Sequence, residues 1–227
     1  MSSPSIAPYL LAVPFTATIT GAFNLSELLP IPVAVAVGAA WGIVLGIGAT
    51  WLRSKPKPAA WVEDSLVFLG TIALAFAACG GLMALLMLSG ALRSSSLTGE
   101  TLEEMFLPMI PYYIAVNAPL EMLVMPGLIY LGWRAGKRRL LIVAGAALYF
   151  AMRVWTYIAF VPARLGFAES GHTTDPMTAA ERHQAYLDLK VEDPRWILVL
   201  AILSIFIVAA AFPRLREVTG PAAIQTG

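Results

Sequence analysis

The sequence predicts an all-α protein: a polytopic membrane helix bundle of six transmembrane helices, built as a four-helix core plus an N-terminal helical hairpin. Three observations predict it. Of the 227 residues, 59% are hydrophobic and 13% charged, whereas soluble domains carry about 45–50% apolar and about 25% charged residues. A soluble globule of this composition would lack the charges its surface needs. The charges also fall in clusters, and the apolar stretches between them are long enough to cross about 30 Å of hydrocarbon, which takes about 20 residues. Finally, the clusters alternate in sign along the chain, as lysine and arginine bias between the two sides of a membrane requires.

The first apolar segment, Ala7–Leu28, contains Pro8, Pro14, Thr16, Thr18, Thr20 and Asn24, so it is expected either to span or to lie in the interface. Residues 1–8 hold no basic side chain, and a signal peptide is not expected there. Five further segments are expected to span: Ile31–Leu52, Ser65–Leu92, Phe106–Trp133, Leu140–Val161 and Trp196–Phe212. Loop 53–64 carries Arg53, Lys55 and Lys57; loop 134–139 carries Arg134, Lys137, Arg138 and Arg139; Arg214 and Arg216 follow the last segment. The intervening loops are acidic, with Glu100, Glu103 and Glu104 in one and Glu169, Asp175, Glu181, Asp188, Glu192 and Asp193 in the other. This alternation puts the basic loops and both termini in the cytoplasm and the acidic loops outside, with the cell membrane as the expected location.

Local signals mark the boundaries. Asp193-Pro194 suits the start of the last helix, and Trp133 and Trp196 fall where an amphipathic indole meets the interface. Thr178-Ala-Ala-Glu181 fits a capping box opening a short outer helix, Ala179–Lys190. One integral membrane domain over 1–227 is expected, divided into the hairpin (1–57), the bundle (58–215) and a cytoplasmic tail (216–227). In the second segment Gly38, Gly42 and Gly46 form one flat stripe. Such a stripe admits a close helix, from within the chain or from a partner.

Composition also excludes functions. A net charge of +1 gives no basic excess for nucleic acid. The single cysteine, Cys79, rules out a disulfide framework and is expected in the core. The two histidines, His172 and His183, stand eleven residues apart in the outer loop and match no strong ligand spacing, so no metal site is expected. Without a phosphate loop or dinucleotide fingerprint, no cofactor is expected either. The methionines read as apolar filler.

The candidate site lies in the fourth and fifth segments. An intramembrane charge normally faces the bundle interior, is paired, and marks a functional site. Glu121 precedes Lys137 by 16 residues and Arg153 follows it by 16. In an antiparallel hairpin centred there, the two meet at one depth. By the same count Asn117 faces Tyr157, with Tyr149 and Thr156 nearby. Pro108, Pro111, Pro119 and Pro126 lie in the fourth segment, and a kink beside Glu121 is expected. The pair either fixes the register of the hairpin or floors a polar pocket. In the second case Arg153 would hold an anion, an enolate or a quinone-like oxygen, and Glu121 would move a proton, with Tyr157 and Asn117 as stabilisers.

Residues 65–212 carry a further pattern: Gly80-Gly81-Leu82-Met83 on a helix ending near Arg93, Glu103–Met105 in a polar stretch, a tight basic hairpin, Trp155-Thr-Tyr-Ile-Ala-Phe-Val-Pro162, and a last helix opening at Trp196. This layout resembles the four-helix anthrone-oxygenase-like family of membrane proteins. The resemblance implies a four-helix bundle and oxidation of polycyclic anthrones to quinones with no recognised metal or flavin. Two features depart from it. Val161-Pro162 is followed by Ala163-Arg164 where the family commonly has an asparagine, and the two N-terminal segments are extra.

Three functions follow as expectations: an oxidoreductase acting on a lipophilic small molecule, a non-catalytic membrane subunit of a larger complex, and a small transporter. The last is least supported, because no inverted repeat and few polar residues line the spans.

Overall fold

The computed structural model describes residues 6–23, 29–133, 136–169, 174–192 and 194–219. Among them the chain is all-helical: α1 Ala7–Phe23, α2 Ile31–Arg53, α3 Pro56–Ala91, α4 Gly99–Phe106, α5 Met109–Pro119, α6 Met125–Leu131, α7 Lys137–Trp155, α8 Val161–Glu169, α9 Ala179–Asp188, α10 Arg195–Ala210 and α11 Arg214–Thr219. Two π-helical turns, Leu120–Val124 and Thr156–Phe160, join α5 to α6 and α7 to α8. Five helical units are long and apolar enough to cross a membrane: Ile31–Arg53, Pro56–Ala91, Gly99–Leu131, Lys137–Ala168 and Arg195–Arg216. The sixth apolar helix, α1, has 17 residues, about 25 Å at 1.5 Å per residue.

The helices run further than the charge clusters suggest. α3 begins at Pro56 rather than Ser65, so the basic loop shrinks to a turn at Ser54 and Lys55. Pro56 and Pro58 open the helix because first-turn N–H groups have no helical partner to lose. Glu100, Glu103 and Glu104 lie on α4, which is capped by Thr98, whose side chain accepts from Thr101 N at 3.1 Å. Lys137, Arg138 and Arg139 belong to α7; Arg134 lies outside the described residues. The fifth segment does not stop at Val161-Pro162 but passes through it to Glu169. The capping box is present, with both reciprocal bonds, and opens α9, which ends at Asp188 rather than Lys190. Lys190 follows with φ 49°, a left-handed backbone that costs a non-glycine residue about 1–2 kcal/mol. Asn24, His172 and Asp193, and the tail beyond Thr219, lie outside the described residues.

The Gly99–Leu131 unit is the central one, with 56% of its apolar window buried against 22% for α2. Helices α3, α7 and α10 pack together beside it, and α1 and α2 form a hairpin laid against α6. The core joins Phe15, Leu74, Val124, Leu128, Tyr130, Tyr149, Ile202 and Phe206. The glycine stripe is filled from within the chain. A Cβ on Gly38 or Gly42 would meet Thr20 or Thr16 at about 2.5 Å, and one on Gly46 would meet Tyr9 and Tyr130. The partner helix accepted by Gly38, Gly42 and Gly46 is therefore α1, with Tyr130 of α6 closing the end. The threonines of α1 tolerate burial because Thr16 and Thr20 donate to carbonyls of their own helix, which satisfies the hydroxyls.

Large apolar side chains such as Ile47, Phe68, Phe76, Ile158 and Ile207 point outward, as lipid-facing positions do. Cys79 is among the exposed residues rather than in the core. A helix apolar all round does not announce its inner face, which is why composition misplaced it.

A candidate polar centre between two helices with π-helical turns

Backbone chemistry builds the site. Pro126 has no N–H for the carbonyl four residues back, that of Met122. The indole of Trp41, from α2, donates to that carbonyl at 2.7 Å. A neighbouring helix thus restores the bond that proline removed. The wider Leu120–Val124 turn lies between Pro119 and Met125-Pro126, where the kink was expected. The same arrangement recurs on the facing helix, where the Thr156–Phe160 turn runs into Val161-Pro162. Turns of this kind gather at functional sites, and here both carry site residues.

Glu121 sits in the first turn and is fully buried. Arg153, in the last turn of α7, donates from Nε to Glu121 Oε1. Its Nη2 donates to the Tyr157 hydroxyl at 2.7 Å, and its guanidinium lies 4.7 Å from the Tyr157 ring centroid. The Tyr157 hydroxyl is 3.3 Å from Glu121 Oε2. The Tyr149 hydroxyl is 3.0 Å from Asn117 Oδ1 and 3.3 Å from Glu121 Oε1, so its one proton serves either acceptor. Asn117 Nδ2 donates to Tyr113 O at 2.8 Å, which orients the amide. All five side chains are buried.

The structure therefore brings all four sequence candidates, Glu121, Arg153, Tyr157 and Asn117, into one cluster, and corrects one pairing. Asn117 meets Tyr149, not Tyr157. Equal distance from Lys137 sets the depth of backbones, but a tyrosine reaches past a helical turn of about 5.4 Å. Tyr149 spans from α7 to both Asn117 and Glu121. Sequence reasoning placed it only in the neighbourhood. Its position four residues before Arg153, on the same helical face, is the signal that identifies it.

Two further groups escaped the sequence reading. Arg195, at the start of α10, donates from Nη1 to Thr156 Oγ1 at 2.8 Å and lies 3.4 Å from the Phe160 ring centroid. At the opposite end of the bundle, Glu63 and Asp64 of α3 hold the α7 and α11 starts. Arg138 Nη1 pairs with Glu63 at 3.4 Å and with Asp64, and Arg214 Nε is 3.5 Å from Glu63. Asp64 also accepts from the backbone N–H groups of Arg214 and Leu215, each at 2.9 Å.

Chemically, the centre is a carboxylate with both oxygens engaged, a guanidinium, two phenols and an amide. It can hold an anionic or quinone-like oxygen at Arg153 and Tyr157 if Glu121 yields its place. Among the described residues, no group of three histidine, cysteine, aspartate or glutamate side chains gathers to hold a metal, and His183 lies exposed on α9. Comparison of the chain with protein-family models, with curated proteins and with solved structures finds no match.

Proposed function

We propose that this chain is a six-span protein of the cell membrane, with both termini cytoplasmic, and that its Glu121–Arg153 centre acts on a lipophilic small molecule as an oxidoreductase. One observation carries the reading. A buried Glu121–Arg153 pair enclosed by Tyr149, Tyr157 and Asn117 stands within the apolar helical units, where a charge costs at least about 2.5–3.5 kcal/mol to insert. In the reaction type that the anthrone-oxygenase resemblance implies, a ring CH2 becomes C=O. One atom of dioxygen enters the product and the other leaves as water. Glu121 takes the proton from the acidic carbon, and Arg153, Tyr157 and Asn117 stabilise the oxyanion that forms. A glutamate held by arginine is a poor base, so the substrate must part the pair as it binds.

The test uses the full chain in proteoliposomes, given an anthrone and dioxygen. Quinone formation that falls at least 100-fold in Glu121→Gln and Arg153→Lys is the expected result. No turnover by the wild-type chain on any anthrone tried, or turnover in both variants equal to that of the wild-type chain, contradicts it.

One observation favours a second reading, that of a non-catalytic membrane subunit. Both Glu121 oxygens are already engaged by groups of the chain itself, as in a structural lock. Native purification in mild detergent separates the readings. A copurifying chain in fixed ratio supports the subunit, and a monodisperse single chain with a bound lipophile supports the enzyme.

A further inference from the structure

The turn between α2 and α3 carries charge that the polar centre does not use. Its backbone closes on itself: Ser54 N donates to Trp51 O at 3.2 Å, Lys55 N to Leu52 O at 2.9 Å and Ala59 N to Lys55 O at 3.0 Å. The lysine side chains are therefore not needed to hold the turn. Lys55 and Lys57 are both exposed, and neither joins an ion pair among the described residues. The acidic side chains nearest in sequence, Glu63 and Asp64, are engaged by Arg138 and Arg214. The Lys55 ammonium lies 3.8 Å from the Trp51 ring centroid. Trp51 and Trp61 are each 62% exposed, so neither indole is taken up by packing within the chain. One order of residues runs inward from the turn along a face of each helix. It is Lys55, Trp51, Ile47 and Val44 on the α2 side, and Lys57, Trp61 and Phe68 on α3. Ile47, Val44 and Phe68 are exposed as well, and both helices are long and apolar enough to cross a membrane. Cation, indole, apolar side chain is the order that fits a bilayer from headgroup to hydrocarbon.

We propose that this turn binds the headgroup phosphate of an anionic phospholipid of the phosphatidylglycerol type. Lys55 and Lys57 stand two residues apart, at most about 7 Å along the chain, so both ammonium groups reach one phosphate and hold it by charge-assisted hydrogen bonds. The indoles of Trp51 and Trp61 lie at headgroup level, and the acyl chains run over Ile47, Val44 and Phe68. A zwitterionic headgroup brings its own ammonium beside the phosphate and is held less well. The site rests on the helices standing in a bilayer and not on the chemistry of Glu121, so the two readings fail separately.

The experiment is native mass spectrometry of the full chain in mild detergent, titrated with dioleoylphosphatidylglycerol or dioleoylphosphatidylcholine. Phosphatidylglycerol is expected to bind the more tightly. Its affinity is expected to fall about thirtyfold when Lys55→Gln and Lys57→Gln are combined, the worth of two lysines beside an anionic lipid, and to return with Lys55→Arg and Lys57→Arg. Lys137→Gln with Arg139→Gln removes the same charge from exposed positions on α7 and should change it little. Equal affinity for the two lipids overturns the proposal, as does an equal fall in the α7 pair. Crosslinking of the wild-type chain in phosphatidylcholine nanodiscs needs no variant. There, phosphatidylglycerol with a diazirine in its headgroup is expected to label residues 51–61, and labelling spread over the basic ends of the other helices overturns the site. A large excess of glycerophosphoglycerol, the headgroup without its chains, should leave the labelling unchanged. Displacement by it overturns the lipid in favour of a soluble anion.

Discussion

The indole of Trp41 donates to the carbonyl of Met122 at 2.7 Å, across 81 residues of sequence. This bond replaces the one that Pro126 cannot make, and it packs α2 of the N-terminal hairpin against the π-helical turn that carries Glu121. Trp41→Phe is expected to lower stability by about 1–3 kcal/mol, the cost of an acceptor left unsatisfied where no water replaces the lost donor. Pro126→Ala returns a backbone donor to Met122, so the Trp41→Phe penalty should shrink in that background. Thermal unfolding of the four proteins of this cycle in detergent measures the coupling.

The glycine stripe makes a position-specific prediction. Gly46→Ala would bring a methyl within 2.4 Å of the Tyr9 ring, whereas a Cβ at Gly48 meets nothing within 4 Å. Overpacking of this kind costs about 1–3 kcal/mol. Gly48→Ala should be neutral or stabilising by about 0.4–1 kcal/mol. A melting temperature that falls in both variants alike would show that helix flexibility, not contact with α1, sets the response.

Asp64 ties α3 to the start of α11 through two backbone N–H groups and to α7 through Arg138. Asp64→Asn should loosen the short C-terminal helix and leave the polar centre intact. The expected outcome is faster trypsin cleavage after Arg214 and Arg216 with little change in global melting.

The capping box of α9 has a pH signature. Hydrogen bonds from the Thr178 backbone and side chain hold the exposed Glu181 carboxyl below its ordinary value. The folded helix start therefore binds this proton less readily than the unfolded chain. Its contribution is complete above about pH 4.3, the ordinary glutamate value, and is lost as pH falls through the lower folded value. The Thr178 amide resonance should titrate with a midpoint below that value, and Glu181→Gln should abolish the step.

Much of this was legible in the sequence, and the limits have physical causes. Clustered charges marked out the long apolar helices, because a charge is costly in an apolar stretch, and Thr178 with Glu181 announced a cap that depends only on local spacing. Glu121 and Arg153 could be paired because a tight hairpin converts equal sequence distance into equal depth. The rest depends on side-chain length and on the face a helix turns inward. Tyr149 reaches Asn117 because it is long, and Cys79 faces outward on a helix whose sides are equally apolar. Glu63 and Asp64 were invisible because a loop was expected where the Pro56-Lys-Pro58 start permits helix. Pro162 reads as a stop, yet the π-helical turn before it carries the helix through.

The central claim is that Glu121 and Arg153 form one buried pair on which the site is built. The most direct measurement is the yield of monodisperse membrane protein from Glu121→Arg, Arg153→Glu and the exchanged double variant. Each single change leaves two like charges together in an apolar interior, at a cost of roughly 3–5 kcal/mol, and should abolish most of the yield. The double variant restores opposite charges at one depth and should recover a large part of it. A double variant no better than either single one would contradict the pairing.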